Sequence, residues 1–281
     1  MSITKNYTLS NGFKIPILGF GTWQSKDGEE AYQAVKVALE AGYRHIDTAA
    51  IYGNEESVGQ AIRDSGILRE EIYLTTKLWA VGTTKEAEKA IDESLEKLGL
   101  DYIDLYLIHW PNPKAFRPHF SERNAAVWKA MEDAVKVGKI RSIGVSNFRE
   151  HHLSALLEIA KIKPVVNQIM INPSDQQEAV VDFSRAHGLL IEAYSPLGTG
   201  KIFSLIELEN LAKKYNKTVA QIVLAWSLAH GYLPLPKSVT RERIIENADI
   251  FDFELETSDI SYIDSLHGLA GLASNPDERN H

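Results

Sequence analysis

A chain of 281 residues that is 44% hydrophobic and 24% charged has the make-up of a folded globular protein with a sizeable core, which excludes a disordered or collagen-like chain. A formal charge of -8 without any long basic run argues against nucleic acid, because a polyphosphate rewards clustered Lys and Arg. The absence of cysteine removes disulfides, thiolate catalysis and Cys-ligated zinc together, and it fits a reducing cytoplasm.

The segment Met1 to Leu9 carries polar residues throughout, with no apolar signal region, and no stretch approaches the ~20 apolar residues of a membrane span. A cytoplasmic protein with no membrane partner is expected. Tyr7 to Ile15 alternates polar and apolar around Asn11-Gly12, which predicts a β-hairpin. Residues 17–20 form a short apolar strand ending at Gly21-Thr22-Trp23. Asp27 is then placed to cap a helix through Tyr32, Val35, Ala38 and Leu39 that stops at Gly42. His45-Ile46-Asp47 is the second strand and residues 72–77 the third. Thr83 with Glu86 reads as a capping box for a helix carrying Ala87, Ile91, Ser94 and Leu98 on one face. Residues 103–109 are aliphatic and aromatic and end at Trp110-Pro111, as a buried fourth strand would.

The alternation continues with a helix through Val127, Met131 and Ala134, a strand over 140–145, and a helix that stops before Pro164. A strand over 165–170 follows, then a helix boxed by Ser174 and Gln177 and a strand over 189–194. Thr218 and Gln221 box a helix through Ile222 and Trp226; residues 232–235 are the eighth strand and 241–247 begin the last barrel helix. Near-continuous apolar strands separated by helices imply a parallel sheet buried on both faces. Eight such units without a linker predict an α/β fold, a single (β/α)8 barrel over residues 1–281 with an N-terminal hairpin.

In such a barrel the strand ends meet at one mouth, which brings together Asp47, Lys77 and His109, with the phenol of Tyr52 on the loop after Asp47. A lysine ammonium beside a phenol stabilises the phenolate and draws its pKa down from ~10. Asp47 keeps that ammonium charged and oriented, and Tyr52 becomes a general acid, a role worth ~10²–10⁴ in rate. His109 orients a carbonyl. No side chain of the set attacks that carbonyl.

Residues 45–55 (HIDTAAIYGNE), 76–79 (TKLW), 104–111 (DLYLIHWP), 144–148 (GVSNF), 195–198 (SPLG) and 236–238 (PKS), in this order and spacing, resemble an aldo-keto reductase. The resemblance is to the bacterial type, similar to 2,5-diketo-gluconate and methylglyoxal reductases. It implies a barrel that binds NADPH as hydride donor and reduces a small carbonyl substrate, with Tyr52, Lys77, Asp47 and His109 catalytic. It further implies Ser146, Asn147 and Gln168 at the nicotinamide carboxamide and Tyr194 stacked on the ring, where several relatives carry tryptophan. Ser195, Leu197 and Gly198 fall to the pyrophosphate, Lys237, Ser238, Thr240 and Arg243 to the 2′-phosphate, and Glu246 and Asn247 to the adenine. Gly21, Thr22, Asp47 and Val239 complete the cofactor set. Two cations with hydroxyls suit a phosphate and favour NADP over NAD. Trp23, Trp79 and Trp110, with Tyr52 and His109, wall the substrate pocket. Substrate choice falls to loops 111–121 and 198–205 and to the tail after His267, whose shortness predicts an open pocket. Relatives of this kind suggest a monomer.

Other readings carry less. Gly19-Phe20-Gly21 lacks the third glycine and the context of a dinucleotide fingerprint. Tyr73 and Lys77 have the spacing of a Tyr-x-x-x-Lys dyad, but in a strand residues four apart lie about 13 Å apart, so Tyr73 packs. His151 and His152 are adjacent on a helix, point apart, and read as a solvated helix start and not a metal site. A metal-dependent barrel hydrolase using His45, Asp47 and His109 gives Lys77 no role. Lys201, Arg117 and His119 read as solvated. A different class, a nicotinamide-sensing interaction module resembling potassium-channel β-subunits, conflicts with an intact catalytic set.

Overall fold

At Asn11-Gly12 the chain turns as its alternation predicts. In the computed structural model, which describes residues 2–279, β1 (Asn6–Thr8) and β2 (Lys14–Pro16) pair antiparallel with Tyr7 opposite Ile15. Met1 and the last two residues of the tail, Asn280 and His281, lie outside the described residues. Leu9 and Ile15 of the hairpin are buried among Leu105, Leu107, Leu233 and Leu235. Asn11 donates to Ser142 Oγ and Tyr7 to the Tyr232 carbonyl, so the hairpin plugs the end where strands begin.

Eight strands follow: β3 (Phe20–Gly21), β4 (His45–Asp47), β5 (Tyr73–Leu78), β6 (Ile103–Ile108), β7 (Ile140–Ser146), β8 (Val166–Met170), β9 (Leu190–Tyr194) and β10 (Leu233–Leu235). They are parallel and lie side by side in chain order. The amides of Gly19 and Gly21 donate to the carbonyls of Pro234 and Pro236 at 3.1 and 3.0 Å, which joins the first barrel strand to the last and closes the ring. At Gly19 the seam leaves no room for a side chain as its neighbours stand. A Cβ on Gly19 would lie 2.4 Å from Leu235 Cδ2 and 2.7 Å from His45 Nδ1. The result is a (β/α)8 barrel, wrapped by α1 (Glu29–Glu40), α2 (Glu55–Asp64), α3 (Thr84–Leu98), α4 (Phe120–Lys136), α5 (Glu150–Ile159), α6 (Glu178–Ala186), α7 (Ile206–Tyr215), α8 (Val219–Ala229), α9 (Arg241–Ala248) and α10 (Thr257–Asp264).

Both faces of each strand are covered, as the apolar runs require. Ile46, Tyr106, Ile108 and Val145 pack outward against the helices, whereas the alternate positions point into the barrel. The capping boxes Thr83/Glu86 and Thr218/Gln221 are formed. Two other expected caps are not. Asp27 accepts instead from Ser57 Oγ at 2.5 Å, and Gly28, at φ +88°, begins α1. Ser174 Oγ accepts from the Ala270 amide at 2.6 Å, leaving Gln177, itself at φ +48°, to begin α6. In both cases a partner distant in sequence wins the side chain. Periodicity anticipates seven of these helices; α2 is the missed helix of the unit between β4 and β5, α7 is a further helix between β9 and β10, and α10 follows the last barrel helix. No helix among the described residues is long and apolar enough to cross a membrane.

Candidate active site

The inward-facing alternation places His45 and Asp47 of β4, Thr75 and Lys77 of β5, Gln168 of β8 and Glu192 of β9 inside the barrel, all buried. Lys77 Nζ, sealed from solvent, lies 2.6 Å from Asp47 Oδ1 and 2.8 Å from the Thr48 carbonyl. Gln168 Nε2 donates both its hydrogens, one to Asp47 Oδ2 at 2.8 Å and one to Glu192 Oε2 at 2.7 Å. Beneath them His45 Nε2 lies 2.9 Å from Thr75 Oγ1 and 3.9 Å from Glu192 Oε1. Burial, then the Lys77 charge, lowers His45 to about 3, so the ring is neutral. Burial, then the Asp47 carboxylate, raises Glu192 to about 8.

Tyr52 ends a 3-10 turn, Ala50–Tyr52, and not an irregular loop; Gly53 closes it at φ +68°. Buried Asn54 holds this turn, donating to the carbonyls of Thr22 and Ser25, both at 3.0 Å, and accepting from Thr48 Oγ1 at 2.7 Å. Thr76 Oγ1 donates to buried Glu55 Oε1 at 2.7 Å, which fastens α2 to β5. The Tyr52 ring therefore stands with its centroid 5.2 Å from Lys77 Nζ and 5.7 Å from the His109 ring. The expected lowering of the phenol pKa is not found. Burial first, and then Asp47, push it well above the usual tyrosine value, because the Lys77 charge is balanced by Asp47 at contact distance. Tyr52 thus keeps its proton through the neutral range.

His109 directly follows β6. Its carbonyl accepts from Asn147 Nδ2 at 3.0 Å, and its ring lies 5.3 Å from that of Trp79 and 6.5 Å from that of Trp110. Buried Arg123 fixes the Trp110 loop, donating to the carbonyls of Val81 and Trp110 at 2.7 and 3.2 Å. Across the ring, Tyr194 donates its hydroxyl to Asn147 Oδ1 at 2.8 Å, and Ser146 Oγ donates to the Gln168 carbonyl at 2.9 Å.

These groups open on one cavity of about 890 Å³, within the range of ligand sites. Its wall includes Gly21, Trp23, Asp47, Tyr52, Trp79, His109, Trp110, Ser146, Asn147, Gln168, Tyr194, Ser195, Leu197, Lys237, Ser238, Arg243, Glu246 and Asn247, all anticipated from the sequence. Lys77 lies beneath the wall. Thr22, Gly198, Val239 and Thr240 sit off it: Thr22 is buried with its hydroxyl on the Asp47 carbonyl at 3.0 Å, and Val239 is exposed. Of the six non-glycine residues at positive φ among those described, four (Gln24, Asn147, Ser195 and Thr199) line this cavity, where stored backbone strain concentrates in functional sites.

The loops expected to shape the pocket divide unequally. Thr199, Gly200 and Phe203 line it, whereas residues 111–121 do not. The tail adds Arg279 to the cavity wall. His151 and His152 do not point apart. Their rings lie 3.8 Å from each other, with both Nε2 atoms on Asp277 Oδ1 at 3.4 and 3.1 Å, drawn together by that carboxylate of the tail. Among the described residues these three are grouped closely enough to hold a metal. However, burial and then His151 lower His152 to about 4, and its Nδ1 accepts the Arg149 amide at 3.2 Å. The single ring proton is on Nε2, which leaves no lone pair there for a cation. The group is a tether for the tail.

A closed parallel barrel whose C-terminal mouth carries a buried Lys–Asp pair under a protonated phenol defines an enzyme-like site. The model of the Aldo/keto reductase family matches residues 17–267. Glyoxal reductase of Bacillus subtilis is 46% identical over 278 residues, covering 99% of this chain and 98% of that protein. Methylglyoxal reductase DkgA of Escherichia coli K12 is 44% identical over 272 residues, covering 96% of each. The solved structure of the Bombyx mori aldo-keto reductase AKR2E4 in complex with NADP is 40% identical and superposes with a TM-score of 0.85, covering 94% of this chain and 93% of that one. The chain belongs to the aldo/keto reductase family and is an oxidoreductase of that kind.

Residues that sequence reasoning passed over are Glu192, Asn54, Glu55 and Arg279. Glu192 left a signal of its own, since an acid within the apolar run Leu189 to Ala193 has to find a buried partner, and Asn54 and Glu55 close the motif over 45–55 without a role being assigned to them.

Proposed function

We propose that this protein is a carbonyl reductase that uses NADPH, with Tyr52 as general acid. The observation that carries the proposal is the sealed Lys77–Asp47 pair beneath Tyr52, at a cavity whose wall also presents Lys237, Ser238 and Arg243. Those two cations and a hydroxyl suit the 2′-phosphate of NADPH, and the flat ring of Tyr194, held by Asn147, suits a nicotinamide face. With both hydrogens of Gln168 Nε2 committed, its amide oxygen is left to accept from a carboxamide. When bound there, NADPH supplies the hydride.

The chain supplies the rest. His109, held by Asn147 through its carbonyl, and Tyr52 converge on a carbonyl oxygen at the mouth and orient it. Tyr52 gives its hydroxyl proton to that oxygen as the alcohol forms, and solvent returns a proton to the phenolate. Lys77, fixed by Asp47 and Thr48, stabilises the phenolate while it lasts. We take the protein to be a cytoplasmic monomer of one domain.

The test is NADPH oxidation with a panel of aldehydes, ketones and dicarbonyls, comparing wild type with Tyr52→Phe. Turnover by wild type and a roughly 10²–10⁴-fold lower kcat in the variant are expected. Tight NADPH binding with no turnover of any carbonyl would overturn the proposal and favour a sensing role.

A further inference from the structure

We propose that Glu192 is a positioning residue for the cofactor, one that holds the Gln168 side-chain amide with its oxygen, and not its nitrogen, facing the nicotinamide carboxamide. The inference rests on the reductase reading above and concerns a residue that is itself absent from the cavity wall.

Gln168 of β8 and Glu192 of β9 are register partners on adjacent strands, so their side chains enter the barrel side by side. Gln168 lines the cavity, whereas Glu192 is sealed beneath it with no solvent exposure. Among the described residues no lysine or arginine lies within ion-pair distance of Glu192, and the neutral His45 ring is 3.9 Å away. Its Oε1 has no hydrogen-bond partner there, and its Oε2 accepts from Gln168 Nε2 at 2.7 Å. Burying a carboxyl in this way is costly, and the one hydrogen bond that it secures is the grip on Gln168.

The backbone of Gln168 is already fixed, because its carbonyl accepts from Ser146 Oγ at 2.9 Å and from the Asn147 amide at 3.0 Å. What remains to be set is the amide torsion, and the two ends of an amide have nearly the same shape and opposite hydrogen-bonding character. Asp47 alone would hold one N–H and leave the group to swing about that bond. With a second acceptor on Glu192 both hydrogens are taken, and a reversed amide would press its oxygen against the Asp47 carboxylate. The oxygen is therefore kept for the ligand, and the amide is ordered before the ligand arrives. Burial, then Asp47, raises Glu192 to about 8, so it accepts as a neutral acid and does not compete with Asp47 for the Lys77 charge.

The test measures binding by calorimetry, with NADP+ and with adenosine 2′,5′-bisphosphate, which keeps the 2′-phosphate but lacks the nicotinamide. Glu192→Met, of similar length and without an oxygen, should weaken NADP+ binding by roughly 3–10-fold, the range of one lost hydrogen bond, and leave the bisphosphate unchanged. Glu192→Gln, which retains an acceptor, should restore NADP+ affinity. In a Gln168→Met background Glu192→Met should cost NADP+ no further affinity, since its effect passes through that amide. Should Glu192→Met not fold, Glu192→Asp, which draws the acceptor back by one methylene, should show the same selective loss. Unchanged NADP+ affinity, equal losses for both ligands, no rescue by Glu192→Gln, or a further loss in the Gln168→Met background overturns the positioning role and leaves the reductase reading intact. Wild type that binds neither ligand sinks both.

Discussion

Asp47 and Glu192 are joined through a single amide, with Gln168 Nε2 2.8 Å from Asp47 Oδ2 and 2.7 Å from Glu192 Oε2. Two carboxyl groups this close inside a barrel resist ionising together, and Asp47 already has Lys77 as its ion partner. Glu192 is therefore the one that keeps a proton, up to about pH 8. Its neighbours are the neutral His45 ring and the Gln168 amide, with Asp47 and Lys77 above.

A pH dependence of stability follows from Glu192. In the unfolded chain its carboxyl titrates at about 4.3. Between that value and about 8 the folded chain holds a proton that the unfolded chain has lost, so stability must fall as pH rises through this window. Its contribution is complete below the lower value and lost above the upper one. Glu192→Gln keeps the shape without the titration, and its melting temperature should decline less than that of wild type between pH 5 and 9. Parallel melting curves across that range would show that Glu192 is not the source.

Lys77 should be costly to remove by itself. Lys77→Met strands the Asp47 carboxylate in the barrel, a loss on the order of 3–5 kcal/mol. Asp47→Asn in the same chain removes the stranded charge, so the double variant should be more stable than Lys77→Met in urea denaturation. A double variant less stable than both singles would contradict this account. Both should lose turnover by roughly 10²-fold or more, since the phenolate has lost its support.

Gly59, in α2, packs directly on the end of α3. A Cβ there would stand 2.0 Å from the Leu98 oxygen and 2.6 Å from its Cα, and these are backbone atoms that cannot swing aside. Although alanine favours a helix by about 1 kcal/mol over glycine, Gly59→Ala should destabilise by about 1–3 kcal/mol through overpacking. A variant with a higher melting temperature than wild type would refute the contact argument.

The cofactor end makes its own prediction. Lys237→Met and Arg243→Ala should each raise KM for NADPH by roughly 10-fold or more, with little change for NADH, because only the former carries the 2′-phosphate. Initial rates with the two cofactors check this; equal losses for both would place the cations elsewhere on the ligand.

The amino-acid sequence alone determined the elements whose causes are local. Asn11-Gly12 fixes the hairpin, and Thr83/Glu86 and Thr218/Gln221 close their own capping boxes within three residues. Apolar runs ending in Asp47, Lys77 and His109 announced both the strands and the residues at one mouth, since a parallel barrel leaves strand ends nowhere else to go. The caps expected of Asp27 and Ser174 failed because Ser57 and Ala270, remote in the chain, take their oxygens.

What only the tertiary structure decided depends on partners far apart in sequence. Closure of the ring rests on Gly19 and Gly21 meeting Pro234 and Pro236. The proton on Glu192 depends on its distance from Asp47, and the direction of the Tyr52 shift depends on how completely Asp47 balances Lys77. His151 and His152 share a carboxylate only because the tail comes back to them, and that return sets Arg279 on Trp110. Spacing along a chain carries the period of a helix or strand, whereas charge and desolvation act through space, across residues that only folding brings within a few ångströms.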